Sequence, residues 1–442
     1  MQRRGFFLAS GMAVAASAVS AQERQEIAPV LFVHGSGDNA SAWLPTIWRF
    51  ESNYYPRPRL FAADLRLPSA RTDDTVREAG RSSIAESTAQ LAQEIARVRR
   101  ASGIERIVVV AHARAGNTLR SYLRDNPGTR IKAAVLCATP SHGVIVSDQH
   151  MRGSEFNGAS PFLRALNTMP GGVPPGVPTF TLASNGMDKF AQPDGRFIGL
   201  PGVATGIDAT SPALRGATNI VLPDADHLEV AYSTEAFVEL YRITTGELPQ
   251  STRIRPEVRP TLSGRVSGFE AGAPSNIGIA GARLRIFAVD PETARRLGPE
   301  LHERITPPDG MWGPIEANSE THYEFELTIR GYPTTHIYRP PFPRSSEHIN
   351  LRPYLPAQAD PKAGALIVIT RPRGYFDIGR DQIEIAGQAV RGPPDIPSES
   401  TLRAASPDGP QSTIVVHFNT ERIAALTWPL AERRVSVIEF AE

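Results

Sequence analysis

One short passage constrains this chain more than any other. Ile107-Val108-Val109-Val110-Ala111 is an unbroken apolar run, mostly β-branched, and His112-Ala113-Arg114-Ala115-Gly116 follows it without a spacer. A strand with no polar alternation is buried on both faces, the situation of a central strand in a parallel sheet. Small residues directly after it let the backbone turn sharply. Leu119, Tyr122 and Leu123 then fall on one face of a helix. The passage reads as strand, tight turn, helix.

Similar units surround it. Pro29 to His34 is a short buried-type strand broken by Gly35-Ser36-Gly37, and Arg59 to Asp64 is a second strand. From Ser83 to about Arg100, Ile84, Leu91, Ile95 and Val98 recur at helical spacing, and Gly103 ends that helix. Further strands are expected at Ile131 to Cys137, Thr179 to Ala183 and Asn219 to Leu222, with a closing helix from Thr234 to Thr244. The alternation predicts a doubly wound, mostly parallel α/β domain over residues 26–250. A Pro-, Gly- and Ser-rich insertion at about 144–177 is expected to form a lid or pocket wall. Residues 251–260, with Pro256 and Pro260, read as a linker. Beyond it helical periodicity nearly vanishes. Alternating strands at Leu262 to Val266, Ala282 to Val289, Tyr323 to Ile329, Ala365 to Thr370, Thr413 to Phe418 and Val435 to Phe440 predict β-sandwich material. It is divided as 261–351 and a further β domain at 352–442. Trp312, Tyr332, Tyr338 and Phe342 are candidates for an aromatic binding face, or for core.

Composition narrows the function. Lys+Arg is 47 against Asp+Glu 46, and only Lys132, Lys189 and Lys362 among those cations are lysine. Such balance argues against a nucleic-acid partner, which would call for a basic excess. The single cysteine, Cys137, excludes an intramolecular disulfide and any multi-cysteine metal site. The chain opens with Arg3-Arg4, an apolar run from Phe6 to about Val19, and small residues at Val19-Ser20-Ala21. That order predicts an export signal over residues 1–21, similar to a twin-arginine signal, with a mature chain from about Gln22. No later apolar segment reaches the ~20 residues of a membrane span. A soluble periplasmic or extracellular protein is expected.

The turn around Ala113 resembles the nucleophile elbow of α/β-hydrolases, close to bacterial lipases and esterases. Phe32-Val33-His34-Gly35-Ser36-Gly37 resembles the early His-Gly loop of that family. Leu136-Cys137-Ala138-Thr139-Pro140-Ser141-His142-Gly143 resembles its Thr-Pro-x-x-Gly stretch. The order elbow, acid, histidine also fits, with Asp188 after one late strand and Asp226-His227 after the next. The likeness covers about residues 26–250. It implies a nucleophile at position 113, His227 as general base and Asp188 as the acid that orients it. It implies an oxyanion hole from the backbone N–H groups of Ser36 and Arg114. Asp208 and Asp224 are rivals to Asp188. His34, Trp43 and His142 are pocket candidates, with His34 also read as a loop organiser and Trp43 also as core cover. His112 reads as structural. The implied reaction, hydrolysis of a small-molecule or polymeric ester or a lactone, needs no cofactor and no metal. Oligomeric state is left open.

One departure matters. Ala113 has no nucleophilic atom. The favoured expectation is an engineered Ser→Ala replacement in a serine ester hydrolase. The alternatives are a naturally non-catalytic binding protein, or an amidase or polyester depolymerase. In the β region, Leu262 to Val266, Ile279 to Phe287, Asp309 to Gly313 and Tyr323 to Phe325 resemble a transthyretin-like accessory domain.

Overall fold

A computed structural model describes residues 27–169, 172–358, 360, 363–392, 395–406 and 411–441. The expected export signal at 1–21 lies outside the described residues. The first sheet contains β1 (Val30–Val33), β2 (Leu60–Ala63), β3 (Ile107–His112), β4 (Ile131–Cys137), β5 (Thr179–Ser184) and β6 (Thr218–Leu222). All its pairings are parallel, in the order β2-β1-β3-β4-β5-β6. The helices are α1 (Leu44–Ser52), α2 (Ile84–Ser102), α3 (Arg114–Asp125), α4 (Pro161–Asn167), α5 (Glu229–Tyr232) and α6 (Thr234–Thr245).

The apolar run in β3 serves two cores. Val108 and Val110 pack with Phe32, Phe50 and Phe237 on the face covered by α1 and α6. Val109 and Ala111 pack with Leu31, Leu91 and Leu119 on the face covered by α2 and α3. Helix α2 begins at a capping box between Ser83 and Glu86 and ends at Gly103, whose φ is +69°. Helix α1 lies outside the elements expected from the sequence; Leu44, Ile47 and Trp48 recur there at helical spacing, and every residue but Glu51 is buried.

The sheet order reverses between β1 and β3. Open α/β sheets bind ligands in the crevice outside the carboxyl ends of the strands at such a reversal. Here those ends lead into His34-Gly35-Ser36 and into Ala113.

The second half holds β7 (Thr261–Glu270), β8 (Ala273–Gly278), β9 (Arg283–Val289), β10 (His302–Ile305), β11 (Met311–Glu316), β12 (His322–Thr328), β13 (Thr334–Arg339) and β14 (Ser346–Leu351). It continues with β15 (Ala365–Thr370), β16 (Ile383–Ile385), β17 (Gln388–Ala389), β18 (Thr401–Ser406), β19 (Thr413–Phe418), β20 (Glu421–Leu426) and β21 (Arg434–Glu439). One seven-stranded sheet runs β10-β9-β12-β13-β21-β15-β18. Strand β21 pairs in parallel with both β13 and β15. The sheet therefore crosses the expected boundary at 351/352, a pairing between sequence-distant strands that no local pattern announces. Trp312, Tyr338 and Phe342 are buried, and Tyr332 packs against the same core as Trp312 and Phe342. These four do not form an exposed aromatic face.

The two halves dock intimately. Leu44 and Trp48 of α1 share a core with Leu262, Phe325 and Phe342. A Cβ on Gly80 would fall 2.0 Å from the Glu270 carbonyl oxygen. Among the described residues, no helix is long and apolar enough to cross a membrane.

Candidate active site

Ala113 sits at the turn from β3 into α3 with φ +50° and ψ −117°. A non-glycine residue held there costs about 1–3 kcal/mol. Its N–H donates to the Cys137 carbonyl at the end of β4, at 2.8 Å. The flanking small residues have specific reasons. A Cβ on Gly116 would fall 1.8 Å from Thr139 Oγ1, so only glycine lets α3 approach the loop after β4 so closely. A Cβ on Gly35 would lie 2.7 Å from His112 Nδ1 and 3.3 Å from the Ala113 Cβ. Gly35 thus brings the loop after β1 against the elbow, and Ser36 follows it as an exposed residue.

Arg114 opens α3, and the first N–H groups of a helix lack internal acceptors and lie at its positive end. Its side chain turns away from the crevice. The guanidinium makes two bonds of 2.8 Å to Glu155 and further bonds to Ser82 Oγ, the Ser82 carbonyl and the Pro68 carbonyl. Glu155 belongs to the expected lid segment, so the base of that segment is tied to the residue after the elbow. Burial raises the Glu155 carboxyl above its ordinary range, against the lowering effect of Arg114.

The loops after β5 and β6 bring Asp188 and His227 together. His227 Nδ1 lies 2.9 Å from both Asp188 carboxylate oxygens, and both residues are buried. Asp188 Oδ1 also accepts the Phe190 N–H at 2.8 Å, and the Phe190 ring meets the imidazole edge-on at 4.7 Å. With Nδ1 donating to Asp188, Nε2 is the ring nitrogen left for proton exchange. The rival acids are elsewhere. Asp208 is exposed and caps a turn through Thr210 and Ser211. Asp224 is exposed and bonds Asn185.

Behind the pair lies a buried hydrogen-bond chain. His112 Nε2 is 3.0 Å from the His227 carbonyl oxygen, and His112 Nδ1 is 3.1 Å from Tyr232 Oη. Tyr232 Oη is 3.1 Å from Asp38 Oδ2. Burial, with His227 adding to it, holds His112 well below the usual imidazole range. Burial holds the Asp38 carboxyl above its range. His112 Nε2 faces the His227 carbonyl, and the Tyr232 hydroxyl, which donates to Asp38 Oδ2, stands within hydrogen-bond reach of His112 Nδ1. His112 is therefore an organiser of the elbow and the histidine loop.

The other pocket candidates fare differently. Trp43 is not a pocket residue: it is fully buried, 5.0 Å from Phe32 and 4.8 Å from Tyr232 by ring centroid. His34 also faces inward. Its Nδ1 donates to the Gly35 carbonyl at 2.9 Å and its Nε2 accepts the Leu65 N–H at 3.1 Å, so it organises the loop. His142 is half-buried and its Nδ1 donates to the Ser211 carbonyl at 2.6 Å. A cavity of about 610 Å³ opens beside the loop after β1. Ser36, Asp38 and Leu228 line one side, and Arg352, Tyr354 and Tyr375 of the β region line the other. Glu155, Tyr232, Asn276, Arg371 and Tyr375 carry no motif, and the sequence holds no signal that singles them out.

The described residues thus form a doubly wound parallel α/β sheet with a reversal at β1/β3 and a strained turn after β3, followed by a β region. Residues 259–356 match the family model of the lipase C-terminal domain. That stretch contains β7 to β14 and overlaps the segments likened to a transthyretin-like domain. Lipase BlEst2 of Bacillus licheniformis, in its mature form, is similar over 49% of this chain and 92% of its own, at 18% identity and a TM-score of 0.36. Lipase B of Aspergillus fumigatus is similar over 52% of this chain at 16% identity and a TM-score of 0.36, and this chain spans 55% of its length. No curated protein matches the chain significantly.

Proposed function

We propose that this chain is a serine carboxylic ester hydrolase of the lipase or esterase type whose nucleophile position is filled by Ala113. The observation that carries the reading is the buried Asp188–His227 pair, set on adjacent strand ends of a sheet whose elbow is strained at residue 113. A serine at 113 would attack the ester carbonyl while His227 Nε2 takes its proton and later returns it to the leaving alcohol. Asp188 fixes the imidazole tautomer and stabilises the imidazolium. The N–H groups of Ser36 and Arg114 would hold the developing oxyanion, each such donor contributing about 3–4 kcal/mol. This chemistry needs no cofactor.

Ala113 leaves that machinery without a nucleophile, and the retained strain and close glycine contacts favour an engineered Ser→Ala replacement over natural loss. The name of the matched lipase C-terminal domain supports the ester class, and small-molecule or polymeric esters both suit it. The Arg3-Arg4 signal supports export to the periplasm or beyond by the twin-arginine route. The test is Ala113→Ser assayed on short- and medium-chain nitrophenyl esters beside the chain as it stands. Activity that His227→Ala then abolishes supports the reading. A folded Ala113→Ser variant that stays inert across esters, amides and polyesters favours a binding protein instead.

A further inference from the structure

The loops that carry the site's working groups are both held from outside the α/β sheet. Asn276, on β8, is buried against the loop after β1. Its Nδ2 donates to the Asp38 carbonyl at 2.8 Å and to the Leu65 carbonyl at 2.9 Å, and its N–H donates to the Arg66 carbonyl at 2.9 Å. Its Oδ1 accepts from Arg352 at 2.8 Å. A flipped amide would set its oxygen against two carbonyls, so the partners fix the orientation. Asp38 in turn bonds Tyr232, and Tyr232 bonds His112.

The histidine loop is gripped from the other side. Asp226, next to His227, accepts the Leu228 and Glu229 N–H groups on Oδ1 and the Tyr375 N–H on Oδ2, at 2.6 Å. Glu229 returns a bond to the Asp226 N–H and takes Arg371 Nη2 at 2.7 Å and Arg380 Nη2 at 2.7 Å. Tyr375, Arg371 and Arg380 all lie beyond β15. Nearby, Lys189 bonds the Ser398 carbonyl at 2.7 Å and lies over the Tyr375 ring.

We propose that the C-terminal β region is a brace for the active site, with Asn276 the positioning residue for the oxyanion loop and Arg371 the positioning residue for the histidine loop. The brace rests on the ester-hydrolase reading for its catalytic meaning, and on loop geometry for its structural one. A transition state loses stabilisation when a donor or base moves by about 1 Å, so loosening either loop lowers turnover more than binding.

The test pairs two readouts. Hydrogen exchange is measured on the full chain as it stands and on Asn276→Asp and Arg371→Met. Asn276→Asp keeps the size of the side chain and removes its donors. The expected result is exchange at least ten-fold faster in residues 35–40 for Asn276→Asp and in residues 224–232 for Arg371→Met, each leaving the other loop unchanged. The same variants in an Ala113→Ser background are expected to lose kcat at least ten-fold with KM within about two-fold, and Arg371→Lys to recover part of that loss. Unchanged exchange at both loops overturns the brace. So does equal loosening of both loops by either variant, which marks a general stability effect, and so does loosened exchange with unaltered kcat. Selective loosening with an inert Ala113→Ser variant upholds the holding of the loops and sinks the hydrolase reading alone.

Discussion

Among the described residues stand two buried histidine–carboxylate pairs, one in each half. In the α/β half, His227 Nδ1 is 2.9 Å from Asp188. In the β half, His336 Nδ1 is 2.6 Å from Glu324. The distances are alike and the surroundings are not. His336 Nε2 accepts from Arg434 at 3.1 Å, and its ring stacks on Trp428 at 4.0 Å and 10°. The second oxygen of Glu324 accepts from Arg296 at 2.7 Å, and Arg296 and Arg285 hold Glu326 beside it. Against the raising effect of burial, bonds from Arg296 and His336 keep the Glu324 carboxyl below its usual range. Glu324, Glu326 and His336 have the residue types of a metal site. The arginines already occupy the lone pairs a cation would take, so the set fits a charge network better than a metal. The Asp188–His227 pair has one nitrogen left over and stands beside a strained turn. What separates the pair proposed to work from the structural one is the unsaturated atom and its position.

The largest test of that contrast is chemical. In an Ala113→Ser background, His227→Ala is expected to lower kcat by about 10⁶-fold, whereas His336→Ala keeps kcat within a few-fold. Steady-state ester hydrolysis reads both, and a collapse with His336→Ala would erase the contrast. Next comes Asp188→Asn, which presents the wrong tautomer to His227 and is expected to cost about 10⁴-fold in kcat.

The converse test is stability. His336→Ala removes a buried bond to a charged partner and leaves a void beside Trp428, so urea unfolding should show a loss of about 3 kcal/mol. Gly116→Ala is expected to cost about 1–3 kcal/mol through its clash with Thr139. Gly103→Ala meets nothing within 4 Å and serves as control, losing about 1 kcal/mol from its φ alone.

The last effect is on pH. Burial depresses the His112 pKa in the folded chain. The unfolded chain therefore binds more protons below about pH 6.5, and stability falls as pH drops through that region. The slope contributed by this histidine is at most about 1.4 kcal/mol per pH unit. Urea midpoints from pH 7 to 5 should fall, and His112→Gln should remove part of the fall.

Much of the α/β half was legible because its signals are local. An apolar strand, a glycine stop and small residues around a turn are properties of neighbouring residues. They located the elbow, and the order of the late loops pointed to Asp188 and His227. Trp43 and His34 were harder, because motif position near a loop says nothing of which way a ring points. The β half was legible as strands and illegible as a sheet. Strand β21 joins β13 and β15 across a long sequence separation, and no periodicity records such pairing.

By itself, the sequence determined the α/β alternation, the turn at residue 113 with alanine at its apex, and the β character beyond residue 260. Those follow from side-chain size, backbone preference and the spacing of apolar residues along one stretch of chain. Only the tertiary structure decided that Glu155 anchors Arg114, that Asn276 and Arg371 grip the two loops, and that His336 is closed off while His227 is not. Each of these is a hydrogen bond or ion pair between segments far apart in sequence. Such bonds depend on where folded surfaces meet, which local spacing does not encode.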